Sequence, residues 1–296
     1  DTMDSPSERA SHLRSELERH NYLYYVLDAP EIGDSEYDRM FQELVALEAA
    51  HPELRSVDSP TQRVGSEPSG AFEQHRHAAP MLSLDNAFGR DELEAFDERV
   101  RKGLGSEDPV AYFAELKFDG LSLSLTYEEG VLVTAATRGD GTTGEVVTSN
   151  ARTVRGIPLR LRRAVAGTFE VRGEVVMHRD VFDALNTARA EAGEALYVNP
   201  RNAAAGSMRQ LDSRITASRR LNFYAYATGG GLRLADSQSG TLALLRELGF
   251  AVREEARALT GFAALFEYVE HWTAHRASLP FGIDGVVVKV DALDAQ

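Results

Sequence analysis

The spacing of apolar residues first changes near Val110, and that change restricts the folds open to the chain. Ahead of it the spacing is helical. Leu13, Leu17, Tyr24 and Leu27 mark a helix over 7–27 that ends before Ala29-Pro30. After the turn at Ile32-Gly33, Ser35 with Asp38 three residues on resembles a capping box opening a second helix. That helix runs through Leu44 and Leu47 to Glu48, and His51-Pro52 stops it. A further amphipathic helix spans 91–104. From Val110 the period is two: 112–117, 121–127 and 131–137 read as successive strands, with Glu128-Glu129-Gly130 as a hairpin turn. Strands at 168–177, 221–227 and 283–290 follow, with helices at 180–192, 241–248 and 261–274. Antiparallel-looking runs of strands with helices added outside predict the α+β class, not alternating βαβ units. Pro60, Gly65, Pro68 and Gly70 make 57–70 read as a linker. The expected division is a small helical domain over 1–70 and a larger domain over 71–296.

Bulk properties exclude several classes. No run of about 18 uncharged apolar residues exists to cross a bilayer, and the charged N-terminus lacks the apolar core of a signal peptide. A cytoplasmic location is expected. With no cysteine, the chain has no disulfide, thiolate zinc site or cysteine nucleophile. The net charge of −14 argues against a nucleic-acid surface when taken whole. It is unevenly spread. Residues 1–70 carry 15 acidic and 6 basic side chains, whereas Arg152, Arg155, Arg160, Arg162 and Arg163 occur without an intervening acid. A second cluster, Arg201, Arg209, Arg214, Arg219 and Arg220, is opposed only by Asp212. Such clusters are either solvated surface or phosphate contacts.

Lysine usage is more selective. Of 32 basic residues only Lys102, Lys117 and Lys289 are lysine. A chain that uses arginine wherever charge suffices keeps lysine for work a guanidinium cannot do, such as attack by a free amine. Lys102 lies beside Arg101 on a polar helix, but Lys117 and Lys289 lie in strand-like apolar surroundings. An amine attacking phosphorus must be neutral, and its reference pKa is ~10.4; burial or adjacent positive charge would lower it. In Glu115-Leu116-Lys117-Phe118-Asp119-Gly120, Asp119 could orient the amine, and Gly120 would admit a nucleotide close to the backbone. Arg172-Gly173-Glu174-Val175 puts a carboxylate at a strand position, suited to a ribose hydroxyl or a metal. Asp284 and Lys289 are five apart, which on a flat strand puts them on opposite faces. Asp284 should therefore lie in a turn before the strand, or the two act separately. Leu221-Asn222-Phe223-Tyr224-Ala225-Tyr226 offers aromatic faces for a base or for the core.

Two other patterns compete for attention. Gly139-x-Gly141-x-x-Gly144 after the 131–137 strand matches a dinucleotide fingerprint and would imply a hydride-transferring dehydrogenase. The acid about 20 residues downstream is missing, and polar residues 145–150 follow where an apolar helix should begin. His271 and His275, four apart on a helix, have no third metal ligand in view.

Taken in order, these residues resemble the adenylation portion of the bacterial NAD+-dependent DNA ligases. The resemblance runs from Tyr22 to Val290. It includes Asp28-Ala29-Pro30-Glu31-Ile32, Asp34-Ser35-Glu36-Tyr37-Asp38, Asp58-Ser59-Pro60-Thr61-Gln62-Arg63-Val64-Gly65 and Pro80-Met81-Leu82-Ser83-Leu84-Asp85-Asn86. It continues through Ala136-Thr137-Arg138-Gly139-Asp140-Gly141-Thr142-Thr143-Gly144-Glu145 and Asn199-Pro200-Arg201-Asn202-Ala203-Ala204-Ala205-Gly206-Ser207. The resemblance implies a nucleotidyltransferase core of antiparallel sheets, with Lys117 accepting AMP from NAD+. Glu115 would read the adenine amino group, Ser83 and Leu84 would line its pocket, and Tyr226 would stack on it. Arg138 and Glu174 would hold the ribose, and Lys289 would touch the α-phosphate. Asp119 and Asp284 belong to the same implied cofactor site. Tyr24, Asp34, Ser35, Glu36, Tyr37 and Asp38 would hold nicotinamide mononucleotide. Arg201, Arg209 and Arg276 match positions that contact phosphate of the cofactor or of a DNA nick.

The implied partners are NAD+, Mg2+ and nicked double-stranded DNA, with the protein acting as a monomer. Tyr25 stands where some relatives have His, so an imidazole is not required there. The family's later segments, including a four-cysteine zinc finger, are not in this sequence, and the expectation is a fragment limited to the first step of ligation. ATP-dependent nucleotidyltransferases share Lys-x-Asp-Gly but lack the front domain. Deleting residues 1–70 should therefore abolish reaction with NAD+ and leave the remainder folded, as read by circular dichroism; global unfolding of that deletion would contradict the division.

Overall fold

Two helices pack on each other ahead of the first strand. The computed structural model describes residues 5–25, 27, 29–63 and 71–296, with only the backbone of Tyr25, Asp34 and Ser35. Helices α1 (Pro6–Tyr25) and α2 (Asp34–Ala50) bury Ala10, Leu13, Leu17 and Leu44 together. The apolar stripe read from the sequence outruns this core. Tyr24 and Leu27 are about half exposed, whereas one turn earlier Tyr37 of α2 donates to the side-chain oxygen of Asn21 at 3.0 Å. Gly33, not Ser35, is the N-cap of α2, and no side chain caps it. Ser35 lies inside the first turn, so the expected capping box is not formed.

Much of the expected linker is pinned. Buried Glu48 accepts from Ser59 Oγ at 2.7 Å and from Thr61 Oγ1, fixing a 3-10 turn over Pro60–Gln62. Asp58 pairs with Arg160. Buried Arg63 donates to the carbonyls of Arg152 (3.2 Å) and Ile157 (3.1 Å) and faces Glu18 at 3.9 Å. Turn-rich composition cannot distinguish a free linker from a segment held by its side chains. Residues 64–70 of the expected linker lie outside the described residues.

The remaining elements, in order, are β1 (Gln74–Arg76), α3 (Arg90–Leu104), β2 (Ala111–Phe118), β3 (Leu121–Glu128), β4 (Val131–Thr137), β5 (Thr143–Glu145), α4 (Thr148–Thr153), β6 (Thr168–Val176), α5 (Arg179–Glu191), α6 (Pro200–Met208), α7 (Ser213–Ala217), β7 (Asn222–Gly231), α8 (Gln238–Glu247), β8 (Arg257–Thr260), α9 (Gly261–His275) and β9 (Ile283–Val290). One antiparallel sheet has the order β4-β3-β6-β7, another β8-β2-β9, and β1 pairs with β5. The α+β expectation holds. The β3–β4 turn forms where the sequence places it, with Glu129 and Gly130 both at positive φ (48° and 79°). The sequence reading missed the short elements β1, β5, α4, α6, α7 and β8. Strands of three or four residues and helices of five to nine carry too few residues for a period to register.

The larger core lies on the four-stranded sheet, where Leu123, Leu125, Tyr127, Phe169, Val171 and Phe223 meet Ile157, Met208, Leu245 and Phe250. A second lies under the three-stranded sheet, with Tyr112, Ala114 and Val290 against Leu265 and Tyr268 of α9 and Leu93 of α3. Leu116, Val176, Tyr224 and Phe281 form a third, joining the two sheets. Among the described residues no helix is long and apolar enough to cross a membrane. In the front pair, Leu17 is fully buried. Leu17→Ala should cost about 2–5 kcal/mol, read as a lowered urea midpoint with unchanged slope.

Candidate active site

Strand β2 belongs to the three-stranded sheet and β3 to the four-stranded one, so the turn at Asp119-Gly120 carries the chain from one sheet to the other. A Cβ on Gly120 would lie 2.1 Å from the carbonyl oxygen of Val175 in β6. Glycine is required here by close approach of backbone. Glu115 and Lys117, two apart near the end of β2, project from one face into a cleft of about 410 Å³ between the sheets. The facing wall carries Ser122 of β3, Arg172 and Glu174 of β6 and Tyr226 of β7. Asp284, Val287 and Lys289 of β9 line the near wall, with Arg138, Arg201 and the segment 81–84 at the rim.

The expected conflict between Asp284 and Lys289 is resolved by a bulge. Along β2 and β9, Glu115 pairs with Val287 and Leu116 with Val286, but Phe118 pairs with Ile283. Asp284 and Gly285 together thus oppose the single residue Lys117, with Gly285 at φ 147°. One extra residue reverses the alternation. Asp284 therefore lies within the strand yet shares the cleft with Lys289, contrary to the placement expected from a flat strand.

The ion pairs follow from this register. Lys117 Nζ donates to both oxygens of Asp284, at 2.9 and 2.8 Å. The lysine side chain is 41% exposed and its direct partner is a carboxylate. Neither burial nor adjacent positive charge, the two surroundings expected from the sequence, is what holds it. Nor does Asp119 orient the amine: Arg201 Nη1 donates to it at 3.4 Å. Deeper in the cleft, Lys289 Nζ donates to buried Glu115 Oε1 at 2.8 Å and lies 5.8 Å from the Tyr226 ring centre. Breaking such a buried pair costs about 3–5 kcal/mol. Glu174 is 8% exposed, and burial pushes its carboxyl up to about 7, although Ser122 Oγ donates to it at 2.7 Å. Burial also raises the Tyr226 phenol well above its ordinary value and keeps it neutral.

Five cationic side chains (Lys117, Arg138, Arg172, Arg201, Lys289) and three carboxylates (Glu115, Glu174, Asp284) line the cleft. This positive excess on a chain of net charge −14 suits a phosphorylated ligand with a polar base. Ser83, Leu84, Glu115, Lys117, Arg138, Glu174, Tyr226, Asp284, Lys289 and Arg201 all reach it. Arg209 instead pairs with Glu145 at 3.0 Å. Arg276 lies in a 3-10 turn after α9, away from the cleft lining. Tyr24, Glu36, Tyr37 and Asp38 belong to the front helices and none lines the cleft; the side chains of Asp34, Ser35 and Tyr25 lie outside the described residues.

Two cleft residues, and a third that backs the cleft wall, were not singled out by the sequence. Arg172 donates to the carbonyls of Ala79 (2.6 Å) and Pro80 (3.0 Å), holding the segment that leads to Ser83. It stands two residues before Glu174, and strand alternation could have found it. Ser122 is found only through the β3–β6 pairing, opposite Glu174. Gln238 begins α8, 123 residues beyond Glu115 in sequence, yet its side chain donates to Glu115. Arg138, by contrast, was expected, and it donates to Ser83 Oγ at 2.8 Å. The Gly139-x-Gly141-x-x-Gly144 run leads into β5, not a helix. Gly139 and Gly144 are there because Cβ atoms would lie 1.9 and 1.7 Å from backbone oxygens. His271 and His275 stack at 4.3 Å, and among the described residues no group of three side chains is placed to hold a metal.

Residues 69–296 match the family of NAD-dependent DNA ligase adenylation domains, and residues 3–65 match the DNA ligase-like, N-terminal NAD+-binding domain. A DNA ligase of Pelotomaculum thermopropionicum is 52% identical over 305 residues, covering 99% of this chain and 45% of the relative. A DNA ligase of Desulforudis audaxviator is 54% identical over 291 residues, covering 97% and 43%. The chain thus spans less than half the length of the curated relatives it matches.

The raised carboxyl of Glu174 has a measurable consequence. A folded-state value above the ordinary 4.5 means that the native state loses stability as pH rises through about 7. Glu174→Gln should therefore gain on the parent by on the order of 2 kcal/mol between about pH 5 and pH 8, read by chemical denaturation. A difference that stays constant across this range would contradict the burial assigned to Glu174.

Proposed function

Because the chain belongs to the family of NAD-dependent DNA ligase adenylation domains, we propose that it performs the first step of ligation, with Lys117 as nucleophile. Lys117 Nζ forms a bond to the α-phosphorus of NAD+, the bond from that phosphorus to the bridging oxygen breaks, and nicotinamide mononucleotide leaves. The amine loses its proton and keeps AMP as a phosphoramidate. The observation that carries this reading is the Lys117–Asp284 pair at the mouth of the cationic cleft. Asp284 holds the amine through two hydrogen bonds and is the base nearest to take its proton. Lys289 and Arg201 stabilise charge developing on the phosphate.

In this reading Glu115 accepts from the adenine amino group, Tyr226 stacks on the ring, and Ser83 and Leu84 close over it. Arg138 and Glu174 hold the ribose. Tyr24, Asp34, Ser35, Glu36, Tyr37 and Asp38 hold nicotinamide mononucleotide, so residues 1–70 supply the domain that positions the leaving group. That positioning is mainly an orientation effect. Mg2+ is ordinarily held by one or two carboxylates together with phosphate oxygens and water. Bound with the phosphates, the ion would neutralise their charge. Arg209 and Arg276 serve phosphate contacts with a DNA nick, to which AMP passes when the chain acts within a complete ligase, as a monomer in the cytoplasm.

Treatment with NAD+ should add one AMP to the intact chain, mapped by peptide mass to Lys117. Lys117→Arg should abolish the adduct although charge is retained. Labelling from ATP but not from NAD+ would overturn the choice of donor.

A further inference from the structure

Gln238 is 3% exposed and stands at the first position of α8, where Ser237 is the N-cap and the Gln238 backbone N–H donates to Asp291 at 2.7 Å. Its carboxamide is directed into the cleft wall. Nε2 donates to the carbonyl oxygen of Tyr226 at 2.7 Å and to Glu115 Oε2 at 3.4 Å. A carbonyl can only accept, so the Tyr226 contact fixes which end of the amide faces Glu115. Lys289 occupies the other oxygen of Glu115.

We propose that Gln238 is a positioning residue that sets purine selectivity by keeping Glu115 turned and ready as an acceptor-only carboxylate. The inference rests on the reading that Glu115 faces the purine 6-position. With donors on both oxygens, Glu115 has no proton to offer. It accepts from a 6-amino group, as in adenine, and repels a 6-oxo group, as in hypoxanthine or guanine. When Lys289 turns to the phosphate, Gln238 is the donor that stays on Glu115. Its hold on the Tyr226 backbone keeps the stacking ring in register with the same base.

Two variants separate this role from a merely structural one. Gln238→Leu keeps the volume and removes the donor. Gln238→Glu brings a second carboxylate beside Glu115, favouring one shared proton and hence a donor at the base edge; an acid in the first turn also suits α8. Affinities for AMP and IMP are measured by calorimetry on the whole chain, with thermal unfolding as the control. The parent should prefer AMP by about tenfold or more, Gln238→Leu should reduce that ratio at least threefold, and Gln238→Glu should shift it toward IMP. A loss of packing would weaken both ligands alike and leave the ratio in place. An unchanged ratio in both variants overturns the role of Gln238 while the reading of Glu115 stands. No preference in the parent overturns the reading of Glu115 itself, and the proposal with it.

Discussion

The passage of the chain from one sheet to the other at Asp119-Gly120 is the constraint on which the cleft depends. A strand ending in one sheet and its successor opening in another leaves a gap between them, and the side chains just before the turn face into it. The approach of Val175 within 2.1 Å of where a Gly120 Cβ would stand ties the turn to β6, which carries Arg172 and Glu174. Lys117 is thereby held near Glu174 without any direct bond between them. A larger residue at 120 would separate the walls before it affected the lysine.

Charge in the cleft is arranged in two layers. The outer one, Lys117 with Asp284 and Asp119 with Arg201, is half exposed, where pairs are worth about 0–1 kcal/mol and exchange partners readily. The inner one, Glu115 with Gln238 and the part-buried Lys289, lies deeper, and Gln238 is its buried, lasting donor. A nucleophile must release its partner to react, whereas a group that reads a base must not move. The depth of each pair matches the work proposed for it.

Helices and long strands were legible because each repeats its period over enough residues to register. The Lys117 motif was legible as a candidate because lysine is so rare in this chain. The hold on residues 58–63 was not legible, because Asp58, Ser59, Thr61 and Arg63 are turn-forming or charged residues whose partners, Arg160, Glu48 and the 152–157 carbonyls, are remote in sequence. Arg172 lay within reach of strand alternation and was overlooked; Gln238 had no local signal at all, since its role comes from contact across more than a hundred residues.

The sequence by itself determined the α+β class and the family and marked most of the side chains that line the cleft, because these reside in periodicity and in ordered motifs. Tertiary structure decided who pairs with whom. It replaced Asp119 by Asp284 as the partner of Lys117, because the extra residue in β9 reverses the direction of its side chains. It also drew ten expected residues into one cleft while leaving Asp119, Arg209, Arg276 and the front helices outside its lining. Such assignments depend on register, bulges and close backbone approach, which are set when two sheets meet and not by any one strand.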